Sequence, residues 1–138
     1  MTTERRSQII ESLKDKDVRE YYVAEHIAEG LAFQVKALRE ARGWTQAELG
    51  QRAKMAQERI SQLEDPNYGK PTLSTLRRLA AAFDVALVVR LAPFSELVDW
   101  TTHLTPESLA PKDFDNDLGC APSKRTAKAN TRKKPDAA

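Results

Sequence analysis

Polar side chains dominate residues 57–62, which read QERISQ. Gln57 can bond the N6/N7 edge of adenine through its amide, and Arg59 can bond guanine O6 and N7 or a phosphate. Glu58 can accept from cytosine N4 or repel the DNA backbone, and Gln62, one helical turn beyond Glu58, extends the same edge. The chemistry that these residues offer is base reading in a DNA major groove. The alternative is an ordinary solvated helix face.

Base reading requires a rigid helix beneath these side chains, and the flanking residues predict one. Residues 44–64, WTQAELGQRAKMAQERISQLE, predict two short helices joined by a tight connection. Thr45 can cap the first helix, with Glu48 at the capping-box position. Apolar residues at helical spacing predict that the two helices pack together and leave the polar side chains of the second helix outward. These apolar residues are Leu49, Ala53, Ile60 and Leu63.

Three stretches carry a family resemblance when they are taken together. They are LREARGWTQAEL at 38–49, RISQLE at 59–64 and TLSTLRRLAAAFDV at 72–85. Through them, residues 35–83 resemble the helix-turn-helix domain of the XRE family, which includes the Cro and repressor proteins of lambdoid phages. The resemblance extends more loosely through residue 97. It implies a mainly α protein with a five-helix, lambda-repressor-like DNA-binding domain.

The resemblance also implies roles for individual residues. In similar members, the glutamines at the positions matching Gln46, Gln57 and Gln62 contact the operator. Gln46, at the start of its helix, can contribute its side chain and backbone N–H to a phosphate. In the family, the loop after the second helix lies against the DNA backbone. The residues expected to contact phosphates are Gln46, Ser61, Asn67, Tyr68 and Lys70.

Two family features concern stability. The family places the residues matching Arg39 and Glu64 in a partly buried salt bridge between the first helix and the end of the recognition helix. The family usually has glycine in the tight turn and serine or threonine capping the recognition helix, where this chain has Lys54 and Ala56. A left-handed Lys54 costs roughly 1 kcal/mol relative to glycine. Ala56 forfeits a cap worth about 1 kcal/mol.

The residues before this domain predict helices. Residues 4–14, ERRSQIIESLK, can form a short helix, and apolar residues recur at helical spacing from Val18 onwards. The second helix can run continuously to about Arg42 or break near Gly30, which weakens a helix but need not end it. Gly43 stands where a left-handed helix cap is expected.

The period of the apolar residues changes after residue 84. Residues 85–91, VALVVRL, alternate and are rich in β-branched side chains, which predicts one short β-strand. A strand needs a hydrogen-bonded partner, and the economical one is the same strand of a second protomer, antiparallel across a two-fold axis. The alternative is a hairpin with an extended part of 92–105. The residues predicted to mediate dimerisation are Val85, Leu87, Val89 and Leu91.

Composition restricts the remaining possibilities. The chain has 138 residues, 41% of them hydrophobic and 30% charged, which predicts one domain with extensions. Cys120 stands alone and there are two histidines, which argues against a disulfide framework and a Cys/His zinc site. Asp113, Asp115 and Asp117 lack the glycine and the distal glutamate of a calcium loop. No catalytic constellation is found, so neither enzyme activity nor a metal or cofactor is expected.

The sequence therefore predicts a chain of several parts. They are an N-terminal helical extension at 1–27, a helix-turn-helix domain at 28–84, a strand and dimerisation segment at 85–111 and a disordered basic tail at 112–138. No signal peptide is visible and no apolar run approaches the ~20 residues of a membrane span, so the cytoplasm is expected.

The predicted function is a sequence-specific, double-stranded DNA-binding transcriptional regulator: a homodimeric repressor that reads a pseudo-palindromic operator. The alternative is the antitoxin of a toxin–antitoxin pair, which binds a toxin protein and regulates its own operon.

Overall fold

The computed structural model describes residues 2–68 and 70–119, and every regular element in these ranges is a helix. The predicted mainly α class is confirmed. None of these helices combines the length and the apolar character needed to cross a membrane. In chain order the helices are α1 (Thr2–Ser12), α2 (Lys16–Glu25), a π-helical turn (His26–Gly30), α3 (Leu31–Ala41), α4 (Gln46–Ala53), α5 (Gln57–Leu63), α6 (Leu73–Phe83), α7 (Phe94–Thr102), α8 (Pro106–Leu109) and α9 (Phe114–Asp117).

α2, the π-helical turn and α3 form one uninterrupted helix. Asp15 caps its start, because its carboxylate accepts from the backbone N–H of Asp17 at 2.8 Å. The helix passes Gly30 without breaking. The chain leaves it at Gly43, whose φ of 69° is the left-handed conformation that glycine adopts without a steric penalty. The predicted division between residues 27 and 28 falls inside this helix.

α3, α4, α5 and α6 enclose the main hydrophobic core, and the short α8 packs against α3. The predicted capping box starts α4: the Thr45 hydroxyl accepts from the Glu48 N–H at 3.1 Å, and the Glu48 carboxylate accepts from the Thr45 N–H. Leu49 and Ile60 have no exposed surface. Buried side chains therefore fix both helices of the helix-turn-helix, α4 and α5, to the core. The core residues are Val35, Leu38, Leu49, Ala53, Ile60, Leu63, Leu79 and Phe83.

The connection between α4 and α5 depends on two unusual backbone positions. Lys54 has φ 57° and ψ 47°, the left-handed conformation. A Cβ on Gly50 would lie 2.6 Å from the carbonyl oxygen of Met55, whose N–H donates to the Gly50 carbonyl at 2.8 Å. Glycine at position 50 allows this close approach of two backbones. Ala56 then leads into α5 without a side-chain hydrogen bond to cap it.

The left-handed position yields a first prediction. Lys54→Gly should raise the free energy of unfolding by up to about 1 kcal/mol, because glycine adopts this conformation without a Cβ clash. The matched control is Lys36→Gly, at an exposed position inside α3, which should lower it by about 1 kcal/mol. Urea unfolding measures both variants. If Lys54→Gly destabilised the protein as much as Lys36→Gly, position 54 would not be strained.

α1 and α7 lie on opposite sides of the helix-turn-helix in sequence and pack against each other. Val98 of α7 is 1% exposed, and Leu13, just after α1, is 7% exposed. The Nε of Arg6 lies 2.9 Å from Oδ1 of Asp99 in an ion pair. The N-terminal extension is therefore docked on the segment that follows the helix-turn-helix core.

The β-strand predicted over residues 85–91 is not seen in this single chain, since no residue in the described ranges belongs to a β-ladder. The alternative hairpin with residues 92–105 is wrong, because that region contains α7. Val88 is 75% exposed, Val89 is 63% exposed and Leu91 is fully exposed. Alternating apolar side chains indicate a segment that can pair as a β-strand. The strand forms only when another backbone bonds its N–H and C=O groups.

Candidate nucleic-acid interface

α5 separates a buried apolar face from an exposed polar face. Ile60 is 0% exposed and Leu63 is 6% exposed, and both belong to the core. Because these side chains anchor the helix, the polar side chains opposite them stand on a rigid support and face solvent. The exposed polar side chains of α5 are Gln57, Glu58, Ser61 and Gln62.

Arg59 is held differently from its neighbours on α5. Its Nη1 donates to Oε1 of Gln62 at 3.2 Å and also to the hydroxyl of Tyr68. Its guanidinium lies over the Tyr68 ring, 5.0 Å from the centroid. The side chain is therefore half-buried and turned toward the loop after α5, on the border of the exposed polar face.

The loop after α5 is ordered by its own hydrogen bonds. The backbone N–H of Asn67 donates to Oδ1 of Asp65 at 2.9 Å, and the N–H of Tyr68 donates to the Asp65 carbonyl at 3.1 Å. Asn67 and Lys70 are exposed, whereas Tyr68 packs against the core. Asn67 and Lys70 are thus accessible to a phosphate, while the Tyr68 hydroxyl contacts Arg59. The phosphate roles of all three stay predictions.

A polar network joins α3, α4 and the end of α5. Nε of Arg39 donates to Oε1 of Glu64 at 2.7 Å, and Nε2 of Gln46 donates to Oε2 of Glu64 at 2.6 Å. Nη1 of Arg39 also donates to the Trp44 carbonyl at 2.8 Å. The Arg39 and Glu64 side chains are 14% and 5% exposed. Gln46, predicted as a phosphate contact, thus directs its amide nitrogen to this network.

Arg78 on α6 holds the C-terminal end of α4. Its Nε donates to the Ala53 carbonyl at 3.2 Å, and its Nη2 donates to the Lys54 carbonyl. The last carbonyls of a helix have no intrahelical partner and carry partial negative charge, so a cation is well placed there. Sequence reasoning missed this contact, because the partners lie far apart in the chain and only the fold brings them together.

Trp44 fixes the entry into α4. Its ring stacks on the Phe83 ring with centroids 5.5 Å apart and an interplanar angle of 6°. The guanidinium of Arg52 lies 4.1 Å from the Trp44 ring centroid, and that of Arg42 lies 5.6 Å from it. Such cation–π contacts are favourable. Together they attach the start of the motif to α6.

The predicted dimerisation residues differ in their surroundings. Val85 packs against the core, and its N–H donates to the Ala80 carbonyl at 3.0 Å. Leu87 is 36% exposed, Val89 is 63% exposed and Leu91 is fully exposed. The segment therefore leaves the core at Val85 and presents apolar side chains to solvent.

The three aspartates Asp113, Asp115 and Asp117, and the residues that follow them, lie outside the candidate interface in sequence. Asp113 caps α9, and the backbone N–H of Asn116 donates to its carboxylate at 2.9 Å, which lowers the pKa of Asp113. The described residues contain no group of His, Cys, Asp and Glu side chains placed to hold a metal ion. Residues 112–119, assigned to the tail from sequence, contain α9. Cys120 and residues 121–138 lie outside the described residues.

Residues 35–89 match a family model, HTH_3, described as helix-turn-helix. The matched segment begins within α3, contains α4, α5 and α6, and ends in the exposed segment after α6. It covers less than half of the chain and leaves α1, α2 and α7 outside it. No curated protein and no solved structure matches the chain.

Proposed function

We propose that this chain, whose residues 35–89 match the helix-turn-helix model and place it with the XRE-family regulators that bind DNA, is a cytoplasmic, sequence-specific repressor acting as a homodimer. In this proposal α5 is the recognition helix and enters the major groove of a pseudo-palindromic operator. Repression follows because the bound dimer occludes the promoter.

One observation carries the proposal: α5 exposes a row of hydrogen-bonding side chains while its opposite face is fixed in the core. Gln57 and Gln62 supply amides that match adenine, and Glu58 supplies an acceptor that matches cytosine N4. Arg59 supplies donors that match guanine. An ordinary solvent-exposed helix face can carry any polar side chains and does not require this set. Within this domain type their combination favours base reading.

The phosphate contacts in the proposal come from the border of α5 and the following loop. Lys70 and Asn67 are exposed beside Tyr68, and Ser61 is exposed on α5. Gln46 begins α4, so its backbone N–H is among the helix-terminal donors that suit a phosphate. Such contacts set the position of the protein on the duplex, whereas base contacts choose the sequence.

The dimer in the proposal forms through residues 85–91. The open backbone and exposed apolar side chains of this segment suit antiparallel pairing with a second copy across a two-fold axis. In such a dimer the two α5 helices would read half-sites one helical turn apart, ~34 Å.

Proline substitution tests this pairing. In a two-stranded ladder the backbone groups of successive residues point to opposite sides, so only one of Val88 and Val89 would donate toward the partner. Proline lacks the N–H but fits an extended backbone. One of Val88→Pro and Val89→Pro should therefore become a monomer while the other, the matched control, stays a dimer. Sedimentation gives the mass. A monomeric wild type, or two variants that both stay dimeric, would contradict the pairing.

Selection of bound fragments from random DNA, carried out at two salt concentrations, tests the proposed function. Affinity should fall as salt rises, because phosphate contacts release counterions. The same inverted repeat should be enriched at both salt concentrations, since base contacts determine it. Binding without any enriched motif would show phosphate attraction alone and would contradict a sequence-specific regulator.

The antitoxin alternative is favoured by the docking of α1 on α7. These helices, which lie outside the family match, border a cavity of about 330 Å³ lined by residues that include Ile10, Leu13, Phe94 and Val98. Ile10 and Phe94 are about two-fifths exposed, so this surface could receive an apolar side chain of a toxin. A toxin-like reading frame beside the gene, whose product copurifies with the chain, would support this function. A neighbouring product that does not bind would contradict it.

A further inference from the structure

Arg59 and Tyr68 form a pair that the base-reading proposal does not by itself require. Arg59 Nη1 donates to the Tyr68 hydroxyl, and the guanidinium lies 5.0 Å from the ring centroid. The hydrogen bond to the Tyr68 hydroxyl fixes the direction of one guanidinium N–H bond. The contact with the Tyr68 ring fixes the plane over which the guanidinium lies. Together they restrict the guanidinium to a narrow set of orientations.

Tyr68 is itself fixed, so it can serve as a support. Its ring packs against the core, and its backbone N–H donates to the Asp65 carbonyl at 3.1 Å. The residue before it, Asn67, is held by the Asp65 carboxylate at 2.9 Å. The loop follows directly from Glu64, which is anchored in the network with Arg39. The tyrosine hydroxyl therefore has a defined position relative to α5.

An arginine whose guanidinium is restricted to one orientation discriminates between bases better than one whose side chain rotates freely. A free arginine loses rotamer entropy on binding and can turn to a nearby phosphate. Guanine recognition requires two parallel donors aimed at O6 and N7. A guanidinium carries five N–H donors. Nη1 uses its two on Tyr68 and Gln62, so those of Nε and Nη2 are left for the base.

We infer that Tyr68 is a positioning residue that orients Arg59 toward a guanine, rather than a phosphate ligand. The inference rests on the proposed function, because it assigns the specificity of one base pair within the same interface. Tyr68 acts through Arg59 and touches no base. The bound chemical group is the O6/N7 edge of a guanine in the operator.

The experiment compares variants on the operator that the wild type selects and on copies of it with single base-pair changes. Arg59→Ala first identifies the base pair that Arg59 reads. Tyr68→Phe keeps the ring and its packing but removes the hydroxyl. It should lower discrimination at that base pair alone by about two- to tenfold, the equivalent of one hydrogen bond. Tyr68→Leu also removes the stacking and should lower discrimination further.

Two controls separate positioning from packing or phosphate binding. In an Arg59→Ala background, Tyr68→Phe should have no further effect on discrimination, because the two residues act as a unit. Lys70→Ala should weaken binding equally on all sequences and reduce the salt dependence, as loss of a phosphate contact does. Thermal unfolding of Tyr68→Phe should stay close to that of the wild type.

The outcomes distinguish the inference from the function on which it rests. If Tyr68→Phe weakens binding equally on every sequence, Tyr68 is a phosphate ligand or a packing residue, and the inference is overturned. If its discrimination is unchanged while the wild type selects an operator, the inference fails and the proposed function stands. If the wild type selects no sequence, the proposed function itself fails.

Discussion

Glu64→Ala is expected to lower the free energy of unfolding by about 3–5 kcal/mol, because it leaves the mostly buried charge of Arg39 without its carboxylate partner. The Glu64 side chain is 5% exposed, and its two oxygens accept from Arg39 at 2.7 Å and from Gln46 at 2.6 Å. Domains of this size are typically stable by only about 5–15 kcal/mol. The variant should therefore lose DNA binding through unfolding, although Glu64 is not among the residues proposed to read bases.

Urea unfolding measures this loss, and a second variant supplies the control. Replacing both partners of a buried ion pair with apolar residues of similar size is often nearly neutral, so the double variant Arg39→Met with Glu64→Leu should recover most of the stability. Loss of less than about 1 kcal/mol in Glu64→Ala, the value of an exposed ion pair, would show that the network carries little of the stability of the motif.

Arg59→Ala is expected to relax specificity at one base pair of the operator and to lower affinity for the best sequence by about 1–3 kcal/mol. The reason is geometric. Arg59 is the only cation on α5, and its contacts with Gln62 and Tyr68 hold it at the border of the exposed polar face. Its removal should leave the preferences at the other base pairs unchanged.

Equilibrium binding to the selected operator and to its single base-pair variants measures this effect. Arg77→Ala, which removes the same charge from an exposed position on α6, is the matched control and should leave the base preferences intact. If Arg59→Ala weakened binding by the same factor on every sequence, Arg59 would be a phosphate ligand.

The local structure of the motif was predictable because local interactions determine it. The predicted Thr45 capping box involves residues only three positions apart, and it is present. Leu49 and Ile60 follow helical spacing, and both are buried. Lys54 adopts the left-handed conformation because a tight turn between two packed helices requires it there.

The contacts that orient the candidate site depend on the fold and could not be read from spacing. Arg59 reaches Tyr68 only because the loop after α5 turns back, and Arg78 reaches Lys54 only because α6 lies beside α4. The sequence signal for the Arg59–Tyr68 contact was an arginine near the end of a helix with an aromatic residue in the short loop that follows. Sequence reasoning instead assigned Tyr68 to a phosphate.

The predicted strand at residues 85–91 is not formed within the single chain for a related reason. Alternation over residues 85–91 reports which side chains could share a face, but pairing depends on whether another backbone lies alongside. Within the described chain the following residues form α7 and dock on α1, so they do not return as a second strand. A second copy of the chain is the partner that the homodimer proposal supplies.

Tethered cleavage of the operator tests most directly whether α5 enters the major groove. Cysteine is placed at the exposed Ser61 of α5 or, as a control, at the exposed Ser95 of α7. In both proteins Cys120 is replaced by serine, and each thiol carries an iron chelate that cuts nearby DNA. If α5 enters the major groove, position 61 should give a short cluster of cuts within each half-site and position 95 should give none. Cuts from position 95, or specific binding without cuts from position 61, would contradict that placement.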